Sequence, residues 1–262
     1  MHRPGMKVQH VPDVDYNTTC PTLVRCLQEV EDWSEANRGH VPLVIQLELK
    51  QTDDRWEQIG GAVSPAWDKK LLDDLDAEIR SVFDDEKLIT PDDLLRPGLT
   101  LEQSVLRHGW PRLQDVRGKV MFFFDNVGTG SALLPLYLDG HPNLAGRAVF
   151  AQGRPGDDHA AIWQINDPRG EANTAAIRDL VRRGYFVRTR SDEGQKTIRD
   201  EDFTRNEVAL ATGAQVATTD YPTIGMTARW DSDFVAELPG GVPVRCNPVN
   251  APPGCRDSQL EP

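Results

Sequence analysis

Five side chains at the ends of short apolar runs have the residue types that phosphoryl chemistry requires. They are His10 after "MKVQ", Glu48 and Lys50 at the end of "PLVIQLELK", and Arg188 and Arg190 in "YFVRTR". Carboxylates suit a hard cation such as Ca²⁺ or Mg²⁺, whereas lysine and arginine suit an anionic substrate such as a phosphate. Histidine titrates near neutral pH and suits acid/base catalysis. Together these residue types favour cleavage of a phosphodiester, in which cations stabilise the phosphoryl oxygens and histidine protonates the leaving oxygen.

Each of these residues also has a plain structural interpretation. An ionised Glu48 on a buried strand needs a strong partner, and Lys50 could be that partner in a structural ion pair. Arg188 and Arg190 point to the same face of a strand and could be ion-paired residues at its rim. The other histidines lie in expected loops, where a solvated position is the default: His2, His40, His108, His141 and His159.

Short strands separated by amphipathic helices must position these side chains. The apolar runs predict strands at 6–10, 42–49, 119–124, 148–152, 161–165, 185–190 and 214–220, since each is too short for a buried helix. Amphipathic patterns predict helices at 21–36, 68–83, 172–183 and 203–212. Gly184 and Gly213 are expected to end the last two helices. Repeated strand–helix units indicate a parallel sheet, either doubly wound or closed into a barrel.

In such α/β folds the working residues lie at the C-terminal ends of the strands. The five candidates above occupy such ends, and the same rule adds Asp125, Asn126, Gln152, Asp192 and Asp220. Asp220 could instead begin a turn, because Tyr221 and Pro222 follow it. We therefore expect one face of the sheet to gather a histidine, several carboxylates, a lysine and two arginines.

Composition and charge exclude several classes of partner. The 262 residues include 29 Lys and Arg against 41 Asp and Glu, which gives a net charge of −12. This charge argues against nucleic acid as a partner and against adhesion to an anionic membrane by charge alone. No apolar run is long enough to span a membrane, and the N-terminus has no apolar signal region. We expect one domain over 1–262, with an insertion at 51–118 and a Pro/Gly-rich tail at 223–262.

The four cysteines form two local pairs, Cys20 with Cys26 and Cys246 with Cys255. Neither spacing is the two-residue knuckle that zinc favours. Pro21 places Cys20 just outside the following helix, where it can reach Cys26. We predict two disulfides, with four free thiols as the alternative, and disulfides point to an oxidising compartment.

Four strings in order resemble the bacterial calcium-dependent phosphoinositide phospholipase C-like proteins, which belong to the phospholipase C-like phosphodiesterase superfamily. They are "RPGMKVQHVPDVDYNTTCPTLVRCL", "HVPLVIQLELK", "YFVRTRSDE" and "GAQVATTDYP", and they cover about residues 3 to 222. The resemblance implies an α/β fold built on a TIM-type barrel and calcium as cofactor. It also implies a secreted or extracellular parent protein.

The resemblance also implies roles for individual residues. His10 matches the family's second catalytic histidine, the general acid; Glu48 matches a calcium ligand; and Lys50 lies near the substrate phosphate. Arg188 and Arg190 are headgroup contacts. The implied reaction is attack by the inositol 2-hydroxyl on phosphorus, which releases diacylglycerol and a cyclic inositol phosphate. Asp13 and Asp15 are candidates for orienting the His10 imidazole.

One part of the family pattern has no counterpart upstream of His10. That part comprises a strand ending in His-Asn and a strand ending in Glu-x-Asp, which carry the first histidine and three calcium ligands. We therefore expect an incomplete barrel without its first two βα units, in which 6–10 is the third of eight strands. Weak calcium binding and negligible cleavage are the corresponding expectations.

Three other functions remain open at this point. A glycerophosphodiester phosphodiesterase shares the barrel and the two-histidine chemistry. A glycoside hydrolase could use Glu48 and Asp125 as its carboxylates. A barrel fragment or binding module without turnover is the non-catalytic alternative. For a lipid substrate, transient contact with a membrane surface is expected.

Overall fold

A computed structural model describes residues 4–12, 15–51 and 57–261. The described helices are α1 Leu23–Ala36, α2 Lys69–Arg80, α3 Pro91–Leu94, α4 Leu101–His108, α5 Leu113–Val116, α6 Leu134–Leu138, α7 Glu171–Arg183, α8 Gln195–Arg199 and α9 Thr204–Thr212. The described strands are β1 Leu43–Leu47, β2 Leu88–Ile89, β3 Val120–Gly128, β4 Val149–Gln152, β5 Ile162–Gln164, β6 Phe186–Arg190 and β7 Val216–Thr218. The chain divides into two compact units: Met1–Ser104 with Pro111–Ala160, and Val105–Trp110 with Ala161–Pro262.

Strand β3 is the centre of the first unit. β1 pairs with it in parallel over Leu43–Leu47 against Val120–Phe124, and both β2 and β4 also pair with it in parallel. Phe122, Phe123 and Phe124 are each no more than 1% exposed. Successive strand residues point to opposite faces, so β3 is buried on both, as a continuous apolar run predicts.

Helix α2 covers this sheet with one face and reaches solvent with the other. Its N-cap Asp68 accepts a hydrogen bond from the Leu71 amide at 2.8 Å, which satisfies one of the helix's free donors. Leu72, Leu75 and Ile79 are buried. The helix confirms the acidic helix predicted at 68–83.

The second unit is built from β5, β6 and β7, all parallel, with β6 in the middle. Helix α7 connects β5 to β6 and ends at Gly184, whose φ of 103° is in the left-handed region that glycine adopts without strain. Helix α9 precedes β7 and ends at Gly213 with φ 83°. Both predicted helix ends are therefore confirmed.

The segment 6–10 is not a sheet strand, and this prediction was wrong. It makes a single antiparallel bridge, Lys7 with Thr22, and the Met6 carbonyl accepts from the Leu23 amide at 2.9 Å. The Met6 amide donates to Glu78 Oε1 at 2.8 Å. A Cβ at Gly5 would lie 2.9 Å from that same oxygen, so glycine permits the close approach. The segment is thus bound to α1 and α2 rather than to a neighbouring strand.

The insertion 51–118 contains more structure than the one predicted helix. It also provides β2 and the helices α3, α4 and α5. A capping box starts α3, with Thr90 as N-cap and Asp93 as its reciprocal partner. β2 has two residues and depends on pairing with β3, so no periodicity in the sequence could indicate it.

Both predicted disulfides are present. The Cα atoms are 5.2 Å apart in Cys20–Cys26 and 6.0 Å apart in Cys246–Cys255. The loop closed by the second disulfide packs against helix ends. Asn247 Nδ2 donates to the Gly213 carbonyl at 2.7 Å, and Asn250 Nδ2 donates to the Val181 carbonyl at 3.1 Å. These bonds tie the loop to the backbone at the C-terminal ends of α9 and α7.

None of the described helices is long and apolar enough to cross a membrane.

Candidate functional site

A cavity of about 910 Å³ lies in the first unit and brings three predicted site residues together. His10 lies on the N-terminal segment, and Glu48 and Lys50 follow β1. The cavity is further lined by Ser64, Pro65 and Trp67 and by α2, which contributes Asp74 and Glu78 among others. The site therefore lies at the C-terminal end of β1, where the βα rule places working residues.

His10 lies beside an isolated antiparallel bridge between Val11 and Asp15 and not in a strand. Val11 and Asp15 exchange two backbone hydrogen bonds of 2.9 Å each, and His10 Nδ1 lies 2.8 Å from Asp15 Oδ2. The side chains are 67% and 58% exposed, so the imidazole is open to solvent and to ligand. Asp15 thus contacts the imidazole as predicted, whereas Asp13 lies outside the described residues.

The segment 48–50 is fixed from both sides by polar side chains. Asn126, on β3, accepts from the Leu49 amide at 2.9 Å and donates to the Leu49 carbonyl at 2.7 Å. The Trp67 indole N–H donates to the Lys50 carbonyl at 3.0 Å. These bonds extend the β1 backbone past its last strand residue and set the directions of Glu48 and Lys50.

Glu48 and Lys50 form an ion pair, with Nζ 3.2 Å from Oε2. The Glu48 side chain is 49% exposed and that of Lys50 is 32% exposed. Glu48 is therefore not the buried carboxylate that the strand pattern suggested, because β1 ends one residue earlier. Both charged groups remain accessible from the cavity.

Arg188 and Arg190 belong to the second unit and differ in their surroundings. Arg188 is buried, and its guanidinium donates to the side chains of Asn166 and Gln164. The Arg190 side chain is 37% exposed, with Nη2 3.9 Å from Asp220 Oδ2. Arg190 is therefore the more accessible of the two for a ligand.

A compact charge network surrounds the ends of β5 and β6. Arg205 is buried and donates to the Asn166 carbonyl at 2.7 Å. Burial lowers the pKa of Arg205, and the charges of Arg169 and Arg190 add to this effect against the opposing carboxylates. The side-chain hydrogen bond from Arg169 lowers the pKa of Asp167 to about 2. Asp167 therefore stays ionised at neutral pH and partly neutralises the arginines.

Two histidines differ from their predicted positions, and Trp67 is a cavity residue that was not predicted. His40 and His159 are buried, not solvated; His40 Nε2 lies 2.7 Å from Ser34 Oγ, and His159 Nε2 lies 3.2 Å from the Gln152 carbonyl. His2 lies outside the described residues. Trp67 was missed, and the only available signal was an aromatic residue at the end of an uncharged stretch.

The described chain forms parallel α/β units with polar residues at the C-terminal ends of their strands, an architecture that barrel-type α/β enzymes share. The family model of Ca²⁺-dependent phosphoinositide phospholipase C matches residues 1–248. The chain belongs to this family, whose members are phosphodiesterase enzymes. A comparison with curated proteins finds no match.

Two solved structures share the fold. One is a Ca²⁺-dependent phosphatidylinositol-specific phospholipase C from Streptomyces antibioticus, with 18% identity and a TM-score of 0.54 over 84% of this chain and 82% of that chain. The other is a calcium-dependent phosphoinositol-specific phospholipase C from a Pseudomonas species, with 17% identity and a TM-score of 0.56 over 81% and 72%. These likenesses confirm the α/β fold of the phospholipase C-like barrel proteins.

Calcium is the cofactor of this family. Calcium takes six to eight oxygen ligands. Among residues 4–12, 15–51 and 57–261, no three His, Cys, Asp or Glu side chains are grouped to hold a metal ion. Glu48 offers a carboxylate but is paired with Lys50, and Asp125 accepts a hydrogen bond from Gln46. The described carboxylates therefore do not gather into a calcium site by themselves.

Proposed function

We propose that the chain binds the headgroup of phosphatidylinositol-type lipids in this cavity and cleaves their phosphodiester. The products are diacylglycerol and a cyclic inositol phosphate. The observation that carries the proposal is the convergence of His10, Glu48 and Lys50 on one cavity in a chain of this family. A cavity of about 910 Å³ is within the range of small-molecule sites.

The proposed chemistry assigns a role to each cavity residue. The inositol 2-hydroxyl attacks phosphorus and loses its proton to solvent water, a new ring P–O bond forms, and the P–O bond to diacylglycerol breaks. Asp15 holds Nδ1 of His10, so Nε2 is the nitrogen that delivers a proton to the departing glycerol oxygen. Lys50 stabilises the charge that develops on the phosphoryl oxygens. Arg188 and Arg190 are not among the residues that line this cavity, so this step assigns them no role.

The absence of grouped metal-binding side chains among the described residues favours a second candidate, a headgroup-binding domain with little turnover. Glu48 is the family's calcium ligand in our assignment, and a single carboxylate paired with lysine binds calcium weakly. We expect a calcium dissociation constant of about a millimolar or higher, comparable with the weakest protein sites. Turnover should therefore be slow and should need calcium at such concentrations.

The proposed substrate also implies contact with a membrane, and the disulfides indicate a location. Diacylglycerol lipids stay in a bilayer, so the protein must contact a membrane surface transiently. Both disulfides are formed, and disulfides persist in oxidising compartments. They support a secreted or extracellular location.

Supplying phosphatidylinositol and glycerophosphoinositol side by side, in millimolar calcium, tests the proposed function. We expect diacylglycerol to appear in the organic phase and a cyclic inositol phosphate signal to appear in ³¹P NMR, while glycerophosphoinositol persists. Faster release of glycerol phosphate from glycerophosphoinositol would instead assign a glycerophosphodiester phosphodiesterase. Headgroup binding without either product would support the binding domain.

A further inference from the structure

Lys7 lines the proposed headgroup cavity and has no role in the chemistry assigned above. It precedes His10 by three residues on the N-terminal segment, while Lys50 lines the same cavity from the end of β1. The cavity wall therefore contains two ammonium groups on two separate elements. Lysine binds phosphate as a compact point charge.

The carboxylates of the cavity wall all have partners other than Lys7. Three of them line the cavity, and their partners are Lys50 for Glu48 at 3.2 Å, Lys70 for Asp74 at 2.5 Å, and the Met6 amide for Glu78 at 2.8 Å. Among the described residues, no carboxylate oxygen lies within 4.0 Å of the Lys7 ammonium, which donates to the Gly5 carbonyl. An ammonium has three donors, so two of them remain for a ligand.

A lysine without an ion pair is the exception in this chain. Five of its seven lysines pair with a described carboxylate: Lys50, Lys69, Lys70, Lys87 and Lys196. The other two are Lys7 and Lys119, and Lys119 does not line the cavity. The chain has a net charge of −12, so carboxylates are in excess. An uncompensated positive charge at the cavity wall therefore indicates an anionic ligand.

The backbone at Lys7 is fixed by its neighbours in space. Lys7 forms an antiparallel bridge with Thr22, and the Leu23 amide donates to the Met6 carbonyl at 2.9 Å. Both partners lie between the two cysteines of the Cys20–Cys26 disulfide. The Lys7 side chain thus extends from an anchored backbone, so only the side chain itself has to be ordered when a ligand binds.

We infer that Lys7 is a phosphate-binding residue of this cavity and contacts the headgroup phosphate together with Lys50. The identity of the ligand rests on the proposed function, whereas the class of ligand, a phosphate group, rests on the charge of Lys7 and its place in the cavity wall. Glu48 offsets the charge of Lys50, and no described carboxylate offsets that of Lys7. Because both cations belong to side chains, phosphate should bind without calcium.

The test is calorimetric titration of inorganic phosphate and of myo-inositol 1-phosphate into the full chain, without calcium. We expect Lys7→Met to lose about 10- to 100-fold in affinity for both anions, because a charge-assisted contact to phosphate is removed. Lys7→Arg keeps a cation at this position and should recover most of that affinity. Lys196→Met removes an ammonium of the second unit that pairs with Asp200, so it should bind as the wild type does.

Three results would overturn the inference. They are equal affinity in Lys7→Met and the wild type, an equal loss in Lys196→Met, and no recovery in Lys7→Arg. A loss in Lys7→Met for inositol 1-phosphate alone would also overturn it, since the contact would then be to the ring and not to phosphate. Urea denaturation should give the same free energy of unfolding for Lys7→Met and the wild type, because the described contact that is lost is one bond to a backbone carbonyl.

The same titrations separate this inference from the proposed function. Equal wild-type affinity for the two anions, with a loss in Lys7→Met, would keep Lys7 as a phosphate-binding residue and reject the lipid headgroup as its ligand. Unchanged affinity in Lys7→Met beside a loss in Lys50→Met would keep the headgroup site and overturn the inference. A wild type that binds neither anion would overturn both.

Discussion

Replacing His10 with alanine is expected to lower the rate of phosphatidylinositol cleavage by about 10²- to 10⁴-fold, the usual contribution of a general acid. The imidazole is the group that protonates the diacylglycerol oxygen, and water is a poorer acid at neutral pH. The measurement is the initial rate of diacylglycerol release from mixed micelles in millimolar calcium. His10 is an exposed residue outside the sheet strands, so the variant should fold and unfold as the wild type does.

Two variants make the His10 result specific. His108→Ala removes an exposed histidine of the second unit and should leave the rate unchanged. Asp15→Asn keeps the imidazole but weakens the contact at Nδ1, so it should lower the rate by less than His10→Ala does. A His10→Ala rate within a few fold of the wild type would contradict the assigned role.

Replacing Arg147 with methionine is expected to lower the free energy of unfolding by about 3–5 kcal/mol. The Arg147 side chain is 2% exposed and lies 2.6 Å from Asp73 and 3.1 Å from Asp76, both on α2. It also donates to the Tyr137 carbonyl at 2.7 Å and lies over the Tyr137 ring at 4.1 Å. Its loss leaves Asp76 as a buried carboxylate with no cation.

The pH dependence of the Arg147 variant follows from Asp76. Burial raises the pKa of Asp76, against the hydroxyl of Tyr137 and the charge of Arg147, which lower it. Without Arg147 that pKa rises further, so the folded state binds a proton more tightly than the unfolded state does. Stability of the variant should therefore fall as pH rises through the folded-state pKa and recover as pH decreases.

Chemical denaturation by urea measures both effects. Arg25→Met is the matched control, because that side chain is 61% exposed and pairs with Glu29 on the same helix; its loss should cost less than about 0.5 kcal/mol. The double variant Arg147→Met/Asp76→Asn should recover part of the loss, since both charges are gone. A loss below about 1 kcal/mol in Arg147→Met would show that the ion pairs of Arg147 with Asp73 and Asp76 do not stabilise α2.

The contacts of Arg147 also connect the stability of α2 to the cavity that contains His10. Helix α2 carries Asp74 and Glu78 into the cavity wall, and Glu78 holds the Met6 amide on the segment that bears His10. Arg147 fixes the opposite face of the same helix. Loosening α2 should therefore disturb the His10 segment even though Arg147 does not line the cavity.

Local patterns in the sequence were enough for most elements of the fold. The run at 119–124 predicted β3 because consecutive apolar residues indicate a strand buried on both faces. Gly184 and Gly213 predicted the ends of α7 and α9 because both positions require positive φ. The two cysteine pairs were close enough in sequence for the pairing to be inferred.

Features that depend on distant partners could not be predicted. The segment 6–10 has the composition of a strand, but its hydrogen bonds go to Leu23 and Glu78. Trp67 reaches the Lys50 carbonyl across an insertion with no periodic pattern. The burial of His40 likewise depends on Ser34 from a neighbouring helix and on no local signal. Side-chain contacts of this kind are set by tertiary packing, which one sequence does not reveal.

In our proposal the cavity lined by His10, Glu48 and Lys50 holds the phosphorylated headgroup. Calorimetric titration of myo-inositol 1-phosphate into the protein tests it without turnover, membrane or calcium. We predict binding to the wild type and a loss of about 10- to 100-fold in affinity for Lys50→Met, because a charge-assisted contact to phosphate is removed. Lys196→Met, an exposed lysine of the second unit, should bind as the wild type does. No binding, or equal affinity in Lys50→Met, would contradict the claim.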